Sequence, residues 1–146
     1  MSETGRFLGV DFGTRRIGLA VSDPSGTIAF PAGTLERRGL RRDLESLCAL
    51  VKEREVARIV VGLPLHMDGR RGPEAEAAEK FATQLGEATG LPVDLFDERW
   101  TTREAERALA ETGRRGRKRR QVVDSVAASL LLRAYLEQRA NLAADA

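Results

Sequence analysis

Cysteine, histidine, tryptophan and tyrosine each occur once in this chain. A lone Cys48 excludes an internal disulfide, and Cys48 with His66 falls short of the ligand count of a zinc site. No uninterrupted apolar run approaches the ~20 residues of a membrane-spanning helix. The polar start Met1–Arg6 lacks the hydrophobic stretch of a secretory signal. Lysine is scarce as well, three against 21 arginines. Arginine suits bidentate phosphate contacts, though a GC-rich genome produces the same bias. These absences point to a cytoplasmic protein with no membrane role.

What remains is ordinary globular material. The 146 residues are 42% apolar and 32% charged. That length suits one domain burying roughly 70% of its unfolded surface. We expect a single domain over residues 1–146, with tails at 1–5 and 141–146. Charge is unevenly spread. Lysine and arginine total 24 against 22 acids, but Arg114, Arg115, Arg117, Lys118, Arg119 and Arg120 crowd one seven-residue stretch. A local basic run on an otherwise mildly acidic body suits contact with a polyanion. It is equally the mark of a solvated, mobile loop, which Gly116 would favour.

Hydrophobic periodicity gives the element order. Phe7–Asp11 and Ile17–Ser22 read as strands, and Asp23-Pro24-Ser25-Gly26 is a type I turn signal leading into a third strand at Thr27–Ala32. Leu40, Leu44, Leu47, Cys48 and Val51 then share one helical face. Arg58–Gly62 has the apolar centre of a strand covered on both sides. A loop from Leu63 to Gly72 precedes a helix opened by Pro73 and Glu74 and ended by Gly90. Val93–Asp97 is a fifth strand. Thr101 and Glu104 form a capping box for a helix reaching Thr112, and Val122–Arg139 is the last helix. The expected fold class is α/β: a mixed five-stranded sheet, an antiparallel meander extended by parallel strands and flanked by helices.

Three carboxylates sit where structure alone does not call for them. Asp11 closes an apolar strand, Glu98 directly follows the fifth strand, and Asp124 is the one charge in the stretch Val122–Leu132. A buried carboxylate needs a cation, hydrogen bonds or a proton. Ligands gather at the carboxyl ends of parallel strands, where a crossing helix would bring Asp124 over Asp11 and Glu98. Three such acids repel unless a hard cation lies between them, and oxygen-only ligation favours Mg²⁺ or Mn²⁺. On that reading, removing Asp124's charge from the metal-free protein would relieve repulsion and add stability. Taken singly, each acid also reads as a turn-former or a cap; Asp97 is read as structural, facing away from Glu98.

Four segments together resemble a known family. Asp11-Phe12-Gly13-Thr14-Arg15-Arg16-Ile17-Gly18 through Asp23 looks like the opening motif of the YqgF/RuvX family. These are described as pre-16S rRNA nucleases and formerly as Holliday junction resolvases. Gly62-Leu63-Pro64-Leu65 with Asp68-Gly69 and Gly72 resembles its second motif, Asp97-Glu98-Arg99-Trp100-Thr101-Thr102 its third, and Val123-Asp124-Ser125-Val126-Ala127-Ala128 its last. The resemblance implies an RNase H-like fold, with Asp11, Glu98 and Asp124 as the metal-binding catalytic carboxylates. Ala127 and Ala128 stand where many such nucleases carry a fourth acid, leaving one metal or two open.

The nucleic-acid contacts expected around these acids are Thr14, Arg15, Arg16, Arg70, Arg99 and the basic run. Gly13 and Gly18 would let backbone approach a phosphate, or simply serve a hairpin. Arg99 would pair a phosphate or hold Asp97 or Glu98. His66 is expected to be exposed, and Trp100 to cap the core or stack on a base. Partners would be structured RNA, notably pre-16S rRNA, or branched DNA, with a homodimer or a ribosomal precursor particle supplying specificity. Other readings are a non-catalytic nucleic-acid-binding module, and an ATPase suggested by the phosphate-loop look of Asp11–Thr14. Phosphate contacts carry no sugar identity, so RNA and DNA stay unseparated here.

Overall fold

The computed structural model describes residues 5–97 and 116–145, with side chains described for residues 5–97 and 124–144. Its strands are β1 (Arg6–Phe12), β2 (Arg16–Ser22), β3 (Ala29–Glu36), β4 (Val56–Leu63) and β5 (Val93–Asp97). They form one sheet in the order β3-β2-β1-β4-β5. β1 pairs antiparallel with β2, and β2 with β3. β4 runs parallel to both β1 and β5. The helices are α1 (Leu40–Glu53), α2 (Pro73–Thr89) and α3 (Gly116–Asp145). The expected mixed five-stranded α/β sheet is therefore present. The helix expected over Thr101–Thr112 lies outside the described residues.

Side-chain alternation along each strand divides the apolar residues between two cores. Leu8, Val10, Ile17, Leu19, Val21, Ile59 and Val61 meet Leu47 and Val51 of α1 and Phe81 and Leu85 of α2. Phe7, Ala20 and Val60 face the other way, onto Ala128, Leu132, Tyr135 and Leu136 of α3. β1, β2 and β4 are covered on both faces, which is why their centres are continuously apolar.

Glycines set how close α3 comes. A Cβ on Gly9 would lie 3.0 Å from Leu132 Cβ and 3.2 Å from the Ala128 carbonyl oxygen. A Cβ on Gly18 would lie 2.1 Å from the Asp124 carbonyl oxygen. Backbone of α3 thus occupies the space where two strand side chains would stand. Asp124, Ala128, Leu132 and Tyr135 recur at helical spacing, so Asp124 belongs to the sheet-facing stripe of α3.

Two elements, β3 and α3, depart most from the sequence reading. β3 begins at Ala29 rather than Thr27, because the Asp23 carboxylate takes the Thr27 and Ile28 amides at 2.8 and 2.9 Å. It then runs on to Glu36, with a register shift opposite Gly18–Ala20. α3 begins at Gly116, not Val122, so Arg117, Lys118, Arg119 and Arg120 are helical and not a loop. It also continues through Asp145, beyond the point at Asn141 where a tail is expected.

Candidate functional site

Asp11 and Asp124, 113 positions apart in sequence, are brought to one place by the sheet register. Asp11 is the cross-strand partner of Gly18. Directly opposed residues of an antiparallel pair project to the same face, here the α3 face, since Gly9 lies against Leu132. A Gly18 side chain would fall on the Asp124 backbone, with Asp124 Cβ 3.2 Å from its first carbon. Gly18 thus lies beside both acids, opposite Asp11 on β1 and against Asp124 on α3.

Arg16 enters the same spot from β2. It lies two residues before Gly18 and so on the same face. Its Nε donates to Asp124 Oδ2 at 2.8 Å, with side chains only 17% and 26% exposed. Among the described residues, its cation comes from a strand 108 residues away. Sequence reasoning places Arg16 on a phosphate; in the structure it pairs with Asp124. Strand alternation puts Arg16, Gly18 and Ala20 on one face, but the α3 residue that covers that face is set by the fold.

The glycines behave as packing residues. Gly13 donates its amide to the Arg16 carbonyl at 3.0 Å, and a Cβ there would lie 2.6 Å from that oxygen. This is a tight hairpin connection, and at Gly18 the close approach is to α3. The hairpin alternative accounts for Gly13, and the approach of α3 accounts for Gly18.

Thr14 and Arg15 are exposed at the tip of that hairpin. The tip is braced by Arg37, which sequence reasoning missed. Arg37 donates its amide to the Arg15 carbonyl at 2.9 Å and Nη1 to the Gly13 carbonyl at 3.3 Å, and its guanidinium lies 4.4 Å from the Phe12 ring centroid. Phe12 in turn stacks on Phe81 at 4.2 Å. Buried Asp43 accepts the Arg38 amide at 2.9 Å and faces Arg37 Nε at 3.5 Å. No periodicity marks a buried acid on an exposed-looking helix turn.

The β4–α2 connection holds its own cations. Arg70 gives its amide and Nε to Asp68 at 3.0 and 2.7 Å. The Arg70 amide chiefly keeps the Asp68 carboxyl below the ordinary carboxylate range. Arg71 pairs with Glu79 of α2. Arg70 is 76% exposed, so its guanidinium remains accessible. His66 is exposed, and its Nε2 lies over Gly72.

Asp97 pairs with Leu63 and, by alternation, shares a side with Val93, whose packing is in the α1–α2 core. That is the face opposite Asp11. Glu98, Arg99, Arg114 and Arg115 lie outside the described residues. Of Arg117, Lys118, Arg119 and Arg120 only the helical backbone is described.

As a donor set, Asp11 and Asp124 offer carboxylate oxygens, which suit a hard divalent cation. Among the described residues no three His, Cys, Asp or Glu side chains converge. A third ligand would have to come from elsewhere, and Glu98 is the expected one.

A family model described as "RuvX: Holliday junction resolvase" matches residues 5–138. The chain belongs to the RuvX family. Similar RuvX relatives carry the name "Putative pre-16S rRNA nuclease". One from Moorella thermoacetica is 48% identical over 133 residues, covering 91% of this chain and 95% of its own. Another, from Koribacter versatilis, is 47% identical over 135 residues, covering 92% and 88%. Among solved structures, T. thermophilus RuvC in complex with a Holliday junction superposes with a TM-score of 0.61 at 13% identity, covering 94% of this chain and 96% of that one. The Fowlpox virus resolvase with junction DNA gives 0.54 at 10%, covering 92% and 98%. At such identities the likeness is one of fold, and the RuvX chain has the RNase H-like fold of these resolvases.

Proposed function

We propose that this RuvX chain is a divalent-metal-dependent nuclease. Its substrate is structured RNA, cut at the 5′ end of the pre-16S rRNA during ribosome biogenesis in the cytoplasm. The observation that carries this reading is the placement of Asp11 and Asp124 on either side of Gly18, with Arg16 on Asp124. Two acids so placed at a sheet end suit phosphodiester chemistry. The names of the relatives at 47–48% identity support the substrate class.

In this reading Asp11, Asp124 and Glu98 hold Mg²⁺ or Mn²⁺. When bound, such an ion activates water and offsets charge on the leaving oxygen. The chain itself fixes the geometry. Gly18 seats α3 so that Asp124 cannot drift, and Arg37 holds the hairpin tip that presents Thr14 and Arg15 to the phosphate backbone. Arg70, Arg99, Arg114, Arg115 and the helical Arg117, Lys118, Arg119 and Arg120 extend the contact along the polyanion. A homodimer or the ribosomal precursor particle would add specificity that so small a body lacks.

Branched DNA is the second reading, favoured by the family description and by the junction-bound resolvases that share the fold. The test is cleavage of a labelled pre-16S 5′-leader RNA beside a four-way DNA junction, with Mn²⁺, Mg²⁺ or EDTA. Metal-dependent RNA cutting that Asp11→Asn abolishes is the expected outcome. Faster turnover of the junction would replace RNA by DNA, and binding without cutting of either would leave a nucleic-acid-binding module.

A further inference from the structure

Arg16 and Asp124 form the one ion pair, among the described residues, that joins β2 to α3 at the site. Its chemistry is lopsided. Arg16 uses Nε alone on a single carboxylate oxygen, Oδ2. A fork-on-fork pair would engage two nitrogens and two oxygens and would be far harder to part. Both side chains keep some solvent access, so neither is locked in the core.

Charge decides what this contact does. With no metal bound, Asp11 and Asp124 place two negative groups on one small patch, and Arg16 offsets the charge of Asp124. A divalent cation brought to Asp11, Asp124 and the expected Glu98 competes with Arg16 for the Asp124 carboxylate, and the two cations repel each other in a partly dry site. A guanidinium so displaced is shaped to receive a phosphate diester.

We propose that Arg16 is an exchangeable counter-ion: it neutralises Asp124 in the metal-free protein, competes with the divalent cation for that carboxylate, and passes to a substrate phosphate once the cation is bound. This rests on the metal-site reading above. It makes metal and nucleic acid bind cooperatively, because each removes an obstacle to the other. Arg16 is thereby a positioning residue for the phosphate.

The test is a Mn²⁺ titration of the RNA-free protein, read by calorimetry or by the electron spin resonance of free Mn²⁺. Arg16→Gln is expected to bind Mn²⁺ about tenfold more tightly than the wild type, the equivalent of one charge-assisted hydrogen bond removed from the competition. In the wild type, Mn²⁺ should tighten binding of a leader RNA; in Arg16→Gln that enhancement should vanish. Arg16→Lys keeps a cation in place and should stay within about twofold of the wild type in Mn²⁺ affinity, which separates charge from general disturbance of the fold. Unchanged or weaker Mn²⁺ binding by Arg16→Gln would overturn the proposal and make Arg16 a fixed orienting partner of Asp124. The metal reading itself is tested apart, by Asp124→Asn. If that variant binds Mn²⁺ as well as the wild type, or the wild type binds none, the metal site fails and the exchange with it.

Discussion

A methyl group on Gly18 would stand 2.1 Å from the Asp124 carbonyl oxygen, and that oxygen belongs to helix backbone. Neither the strand nor the helix can yield without unseating the other, so Gly18→Ala should cost about 3 kcal/mol in urea or guanidinium unfolding. Gly86, inside α2, is the natural control. There an added carbon would meet Val93 Cγ2 at 3.4 Å, an ordinary contact, and Gly86→Ala should stabilise by about 0.5–1 kcal/mol through helix propensity. A loss at both positions would refute the packing role given to Gly18. The same spot reverses a sign. From sequence, Asp124→Asn relieves repulsion and adds stability; with Arg16 donating to Oδ2, the substitution instead strands a half-buried cation. In EDTA it should lower stability by about 1–2 kcal/mol, seen as a lower Tm than the wild type. Asp11 and Asp124 were legible as misplaced acids, since their neighbours are apolar. Arg16 was legible only as a cation near a turn, because its partner is fixed by a register that one sequence does not print.

Turn chemistry, at the scale of elements, decided where β3 begins. Asp23 was legible as the opening of a type I turn, and its carbonyl does accept the Gly26 amide at 3.0 Å. Its side chain goes further, accepting from the Ile28 and Thr27 amides and from Ser25, so the loop keeps two residues that look like strand. Chiefly the Ile28 amide, and then Ser25, pull the Asp23 carboxyl from 3.8 down to about 2. A carboxyl lowered on folding contributes stability above its unfolded value and loses it as pH falls toward the folded one. The stability advantage of the wild type over Asp23→Asn should therefore be full near pH 5 and shrink between about pH 4 and 2. Denaturant curves across that range would show it, and a pH-independent difference would mean the carboxylate charge is idle. The central strands β1, β2 and β4 were legible, since burial on both faces leaves continuous apolar runs. The length of α3 was not: Gly116 and a block of like charges read as loop, whereas the backbone there is helical.

That helical placement changes what the basic run means for the whole molecule. Outside residues 114–120 the chain carries 18 cations against 22 anions, so attraction for a polyanion is concentrated at one end of α3. A helix amino terminus carries partial positive charge, and no acid occupies the first turn of α3. Cations placed there work against the helix, a local cost that a bound phosphate chain would remove. The same end of α3 leads, two turns on, to Asp124, so under the proposed function a polyanion drawn to the run would reach the acids beside Gly18. Replacing Arg117, Lys118, Arg119 and Arg120 with Gln should then have two opposite effects. RNA binding should weaken and its log–log salt slope should flatten by about 2–3, near 0.7 for each single-strand phosphate no longer neutralised. Thermal stability of the RNA-free protein should hold or rise, because the repulsion at the helix start is gone. Fluorescence anisotropy across a salt series, beside a melting curve, reads both. An unchanged slope would show that the run stabilises nothing but its own solvation and that the contact surface lies elsewhere, at Arg15 and Arg70.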